Sequence, residues 1–183
     1  MKKVLITIVA LFLFVGISQA QNKMWLNVGG NVLLPMGDFG DAVSTGFGGT
    51  AQFEMQFMPQ LLGTATIGYL MWGGKDITAF TGTKYSGPDY TGIPILVGAK
   101  YYFMPNSGFY GHAQLGLMIF SADDITINGY TIDAGSSTEF TLGLGAGYEL
   151  PLSAKLMLDL SGAFILISDA NNIGVRAGIK WGL

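Results

Sequence analysis

The chain has 183 residues and a formal charge of −3, with half of its residues hydrophobic and only 11% charged. It has no cysteine, which excludes a disulfide scaffold, and a single histidine among scattered carboxylates, which lacks metal-ligand spacing. The mild acidity argues against a nucleic-acid partner. Beyond the first 20 residues no apolar run approaches the ~18 residues a membrane helix needs.

The N-terminus reads as an export signal over residues 1–20. Lys2 and Lys3 form a charged start, Val4 to Ile17 an apolar stretch, and Ser18-Gln19-Ala20 a small-residue cleavage site. Cleavage after Ala20 leaves residues 21–183, one domain by length. Loss of Lys2 and Lys3 takes the formal charge from −3 to −5.

Eight segments then alternate between apolar and small or polar residues, the two-residue period of a strand. They are Trp25–Leu34, Phe47–Phe57, Leu62–Trp72, Thr91–Phe103, a fifth starting at Phe109, a sixth ending at Leu150, Lys155–Ile167 and Ile173–Leu183. Three connections are short and carry Pro: Met58-Pro59-Gln60, Met104–Gly108 and Pro151–Ala154. The others are mostly longer: Pro35–Gly46, Gly73–Tyr90, Ser121–Thr138 and the shorter Ser168–Asn172. An even strand count puts both termini on the short-turn side. The 121–138 connection contains Ile125-Thr126-Ile127, Asn128-Gly129 and Tyr130-Thr131-Ile132. Asn-Gly suits a type I′ turn, so a projecting hairpin with its tip at Asn128-Gly129 is predicted.

The two faces differ in kind. One carries Gly, Thr and Gln with a few charges that nearly cancel: Glu54, Glu149 and Asp159 against Lys100, Arg176 and Lys180. That suits a crowded interior better than a water-facing surface, which is normally dense in Lys and Glu. The other face carries no Asp, Glu, Lys or Arg. One Arg or Lys at the bilayer midplane would cost about 2–4 kcal/mol, so lipid enforces this absence. Phe57, Tyr101, Phe103, Phe109, Tyr148 and Trp181 lie on this face at the short-turn ends, where an interfacial aromatic girdle belongs. Phe47, Tyr69 and Phe164 offer a looser girdle at the other end. The predicted fold is all-β, an eight-stranded antiparallel up-and-down transmembrane barrel.

The residues that carry a family likeness are Pro35-Met36-Gly37-Asp38-Phe39-Gly40-Asp41, Gly98-Ala99-Lys100-Tyr101-Tyr102-Phe103, Gly145-Ala146-Gly147-Tyr148-Glu149-Leu150-Pro151 and Gly178-Ile179-Lys180-Trp181. Through them the chain resembles small eight-stranded outer-membrane barrels of the OmpA/OmpX type, in the outer-membrane protein β-barrel domain family. The resemblance implies a bacterial outer-membrane location and insertion by the outer-membrane assembly machinery, which reads the last strand. Such strands usually end in an aromatic; this one ends in Leu183, with Trp181 two positions earlier.

Eight strands leave an interior that side chains fill, so a general diffusion pore is not expected. The lumen residues Glu54, Lys100, His112, Glu149, Asp159, Arg176 and Lys180 are expected to form one structural network. A narrow channel or small-ligand carrier is the alternative. A lipid-modifying enzyme around His112, with Ser161 or Asp159, needs a base within reach of a nucleophile, which spacing does not place. No catalytic residue, cofactor or metal is assigned, and no loop has the ligand order of a recognised calcium motif. The long-loop side holds most of the acid, and the 73–90 connection, with Phe80, Tyr85 and Tyr90, resembles a recognition surface. The expected partners are outer-membrane lipids, the assembly machinery and an unnamed surface ligand, with the protein a monomer whose termini are periplasmic and long loops outside.

Overall fold

The computed structural model describes residues 23–78, 84–104, 107–123, 125–127, 130–132, 135–168 and 170–183. Eight long strands close on themselves: β1 (Met24–Pro35), β2 (Val43–Met58), β3 (Leu61–Gly74), β4 (Tyr90–Tyr102), β5 (Phe109–Ala122), β6 (Ser136–Pro151), β7 (Leu156–Ile167) and β8 (Asn172–Gly182). Every neighbour pair is antiparallel, and β1 pairs with β8 to complete the ring, with Val28 opposite Ile179. Closure leaves no exposed ladder edge, the condition a sheet must meet to stand in lipid.

The alternation seen in the sequence is the alternation between lipid and lumen. In β8, Val175, Ala177, Ile179 and Trp181 are exposed, while Lys180 on the opposite face is 1% exposed. Every charged residue of the eight strands (Glu54, Lys100, Glu139, Glu149, Asp159, Arg176 and Lys180) is buried or half-buried. The outward side chains include Leu26, Val28, Phe53, Ile67, Ile95 and Leu144. A surface this greasy on all sides belongs in hydrocarbon.

The loop side carries more structure than its composition suggests. Within the expected loop 35–46, Gly37–Ala42 forms a helical turn, α1, and β2 already begins at Val43, with a bulge between Val43 and Gly46. Gly37 starts the turn at φ 63°, a conformation glycine adopts without cost. In the 73–90 connection Asp76–Thr78 pairs with Lys84–Ser86, a hairpin that composition alone left as loop. In the third long connection Ile125–Ile127 pairs with Tyr130–Ile132. Ile125 opposite Ile132 continues the register that sets Ser121 opposite Ser136. The predicted tip Asn128-Gly129, the export signal, Phe80, Asp124, Asp133 and Asp169 lie outside the described residues.

The core has an apolar part that the predicted polar face did not include. Leu33, Val43, Leu70, Trp72, Met118, Phe120 and Ile167 form a buried cluster inside the loop end of the barrel. Phe39 of α1 seats on it, 5.8 Å from the Trp72 ring and 6.3 Å from Phe120. Trp72 Nε1–H donates to Asn172 Oδ1 at 3.2 Å. The lumen is thus apolar near the loops and charged near the short turns.

Inward glycines permit the tight coiling. A Cβ on Gly48 would stand 2.2 Å from the Tyr69 carbonyl oxygen, whereas a Cβ on the lipid-facing Gly30 meets nothing nearer than 4.0 Å. Gly48→Ala should therefore destabilise the barrel by about 1–3 kcal/mol. Gly30→Ala should stay within about 0.5 kcal/mol of the parent. Urea unfolding in detergent, followed by tryptophan fluorescence, reads both; equal costs would refute the close-approach argument.

Candidate functional site: the charged lumen

The strand register gathers charges that are far apart in sequence. Lys100 on β4 holds the centre. Its Nζ lies 2.8 Å from Glu54 Oε1 on β2, 2.8 Å from Asp159 Oδ2 on β7 and 3.2 Å from Glu149 Oε1 on β6. Lys180 on β8 reaches Glu54 Oε2 at 2.7 Å and Glu149 Oε1 at 2.9 Å. Arg176 Nη1 meets Asp159 Oδ2 at 3.4 Å, and its Nε donates to Thr50 Oγ1 at 2.9 Å. Six of the seven predicted lumen residues therefore share one set of contacts.

Neutral groups complete it. Asn27 on β1 donates through Nδ2 to Glu54 Oε1 and Asp159 Oδ2, and its Oδ1 accepts from Arg176 Nη2 at 2.8 Å. Tyr110 on β5 donates its hydroxyl to Asp159 Oδ1. Lys180 Nζ donates to the Tyr102 hydroxyl at 3.2 Å and sits 4.7 Å from the Trp25 ring centre. Asn27, Tyr110 and Trp25 were not singled out from the sequence, although each has the inward parity of its strand. Their side chains look ordinary until the register brings charges to them.

Desolvation of so many ions is costly, and the contacts are what offset it. Glycine makes the room: a Cβ on Gly147, directly across from Tyr110, would sit 2.4 Å from that ring. A Cβ on Gly178 would meet Asn27 Oδ1 at 2.5 Å. The carboxylates of Glu54, Glu149 and Asp159, scattered in sequence, have oxygens within 4.8 Å of one another, a spacing that could suit a divalent cation. Here ammonium groups take that place.

His112 stands apart from the ion pairs. Its ring lies 5.9 Å from that of Tyr110, and its buried Nε2 has no hydrogen-bond partner. It lines the same cavity as Ser161, without a hydrogen bond between them that would activate a nucleophile.

The predicted girdle residues all face outward. Phe57, Tyr101, Phe103, Phe109, Tyr148 and Trp181 are exposed, Trp181 most at 60%. Phe103 packs with Tyr101 at 5.9 Å and with Phe109 at 5.4 Å between ring centres. Phe140 joins Phe47, Tyr69 and Phe164 on the outer surface toward the loops.

A family model for the outer membrane protein beta-barrel domain matches residues 7–181. The chain belongs to this family. Among solved structures, Ail, the attachment invasion locus protein of Yersinia pestis, aligns with a TM-score of 0.62 at 13% identity, over 89% of this chain and 99% of Ail. OprG of Pseudomonas aeruginosa aligns with a TM-score of 0.57 at 13% identity, over 88% and 96%. Neisserial surface protein A aligns at 0.55 and 13%, over 86% and 96%. At such identities the likeness is one of fold. No curated protein matches the chain. The family and these neighbours place the protein among bacterial outer-membrane barrels.

If Lys100 is what holds the carboxylates together, its loss should be severe. Lys100→Met should cost about 3–5 kcal/mol by leaving Glu54 and Asp159 buried against each other. Adding Glu54→Gln to it should recover part of that cost. Urea midpoints for the two single variants and the double variant form the cycle. Strict additivity would dissolve the network.

Proposed function

We propose that this protein is a closed-lumen outer-membrane barrel that acts through its surface loops, in a structural or surface-interaction role. The observation that carries the reading is the double closure of the lumen. The ion-pair layer spans it from β1, β2, β4, β5, β6, β7 and β8, and the Trp72–Phe120–Phe39 cluster closes it above. A solute path would have to break both.

The residues support no catalytic assignment: among the described residues no nucleophile is hydrogen-bonded to the buried His112 Nε2. The loop side is tied to the rigid barrel. Lys75 Nζ donates to the Gly40 carbonyl, Gly74 N–H to Asp89 Oδ1 at 2.9 Å, and Asp123 N–H to the Asp89 carbonyl at 2.9 Å. Loops held this way present a defined surface. Ail has been captured with a heparin analogue, sucrose octasulfate. A polyanion does not suit this chain, whose described loop side sets Asp38, Asp41, Asp76, Asp89 and Asp123 against Lys75 and Lys84. In this reading an export signal over residues 1–20 is removed, the termini are periplasmic, the loops face outward, and the outward aromatics anchor the barrel at the lipid interfaces.

Purified protein in planar bilayers should give no stable unitary conductance; reproducible steps that disappear on heat denaturation would establish the channel reading instead. Protease added to intact cells should cut only within 75–89 and 123–135 and spare a tag at Leu183. Loss of the tag without cell lysis would invert the orientation.

A further inference from the structure

Between the charged floor and the apolar roof the lumen contains a cavity of about 80 Å³. Its roof side is lined by Leu33, Leu70 and Met118, its floor side by Gln52, Gln114, His112 and Ser161. Arg176 also reaches the wall, but four of its five N–H donors go to Thr50, Asp159 and Asn27, and its charge is paired with Asp159. No uncommitted charge lines the space.

What remains available is neutral. The amide nitrogens of Gln52 and Gln114 both donate to Thr66 Oγ1, at 2.9 and 3.0 Å, which leaves their oxygens as acceptors. The Nε2 of His112 is buried without a partner. Water alone matches half of this chamber, because each buried water seeks two to four polar partners and the roof offers none. A molecule polar at one end and apolar at the other matches both halves.

We propose that this chamber binds a small neutral amphiphile, a short alcohol or primary amide of about three to five non-hydrogen atoms. An alcohol head group donates its one hydrogen to the Gln52 or Gln114 oxygen, a primary amide donates to both, and either meets His112 Nε2. Its tail lies against Leu33, Leu70 and Met118. A charged analogue is rejected, since a desolvated ion would find no free counter-charge. Exchange runs through the roof, which ring contacts and the Trp72–Asn172 hydrogen bond hold, and not through the ion-paired floor. The site is independent of whatever the loops recognise.

Gly143 supplies the test. It lines the cavity, and a Cβ there meets nothing nearer than 3.9 Å, so a larger side chain grows into the space without displacing backbone. Full-length mature protein in lipid nanodiscs, labelled with 13C at the methionine methyls, is titrated with 1-propanol, propanamide and propionate. The Met118 methyl should shift saturably with the first two and stay unmoved by propionate. Gly143→Leu should weaken the response at least tenfold, while keeping the heat-dependent gel migration of a folded barrel. If that variant does not fold, Gly143→Val takes its place with the same expectation. A shift that grows linearly with alcohol, an undiminished response in the folded variant, or an equal response to propionate would overturn the proposal.

Discussion

The barrel is organised around one ammonium group. Lys100 Nζ stands among Glu54, Asp159 and Glu149, and the rest of the lower lumen is arranged to make that tolerable. Three carboxylates this close would repel one another strongly in a low-dielectric interior. Lys100 and Lys180 neutralise them, Arg176 and Asn27 take up further lone pairs, and Tyr110 caps Asp159. Such a network adds little net stability over a well-packed apolar core, but breaking it is expensive. Its charges come from five of the eight strands, and a one-residue slip of any of those five would turn a charge toward lipid. The network therefore penalises a wrong register in each strand that supplies a charge.

The same arrangement explains the glycine content of the inner face. Bulky polar side chains fit into an eight-stranded barrel only where the position across from them is empty. Gly147 faces Tyr110, Gly145 faces His112, and Gly178 borders Asn27 and Arg176. Above this layer the lumen changes character. Leu33, Trp72, Phe120 and Phe39 close the loop end with apolar contacts. The two seals differ in physics: one is directional and charged, the other is packing. A mixed chamber remains between them.

The outer face answers to a different solvent. Lipid excludes charge and rewards aliphatic area in the middle and aromatic rings at the edges. Phe103 covers the lipid-facing Gly111, and Phe57 covers Gly63, so rings fill gaps that small residues leave on the surface. The charge-free exterior and the charge-bearing interior are one fact seen from two sides, since every charged residue of the eight barrel strands is buried or half-buried.

Much of this was legible along the chain. Period-two alternation located all eight strands, and the absence of Asp, Glu, Lys and Arg from one parity identified the lipid face. Local signals also placed the short turns. The apolar roof left a trace that alternation obscured: runs such as Val32-Leu33-Leu34, Tyr69-Leu70-Met71-Trp72 and Phe164-Ile165-Leu166-Ile167 are apolar on both faces. Helical turn α1 and the 76–78 with 84–86 hairpin escaped because Gly, Asp and Thr also describe an irregular loop. The sequence by itself determined the strands, their two faces and the solvent each face meets, because those depend on neighbours two residues apart. Only the tertiary structure decided which carboxylate meets which cation, that Asn27 and Tyr110 belong with them, and that His112 stands outside. Those pairings join residues as far apart as Asn27 and Asp159, and inter-strand register, which no local pattern encodes, brings them within hydrogen-bond reach.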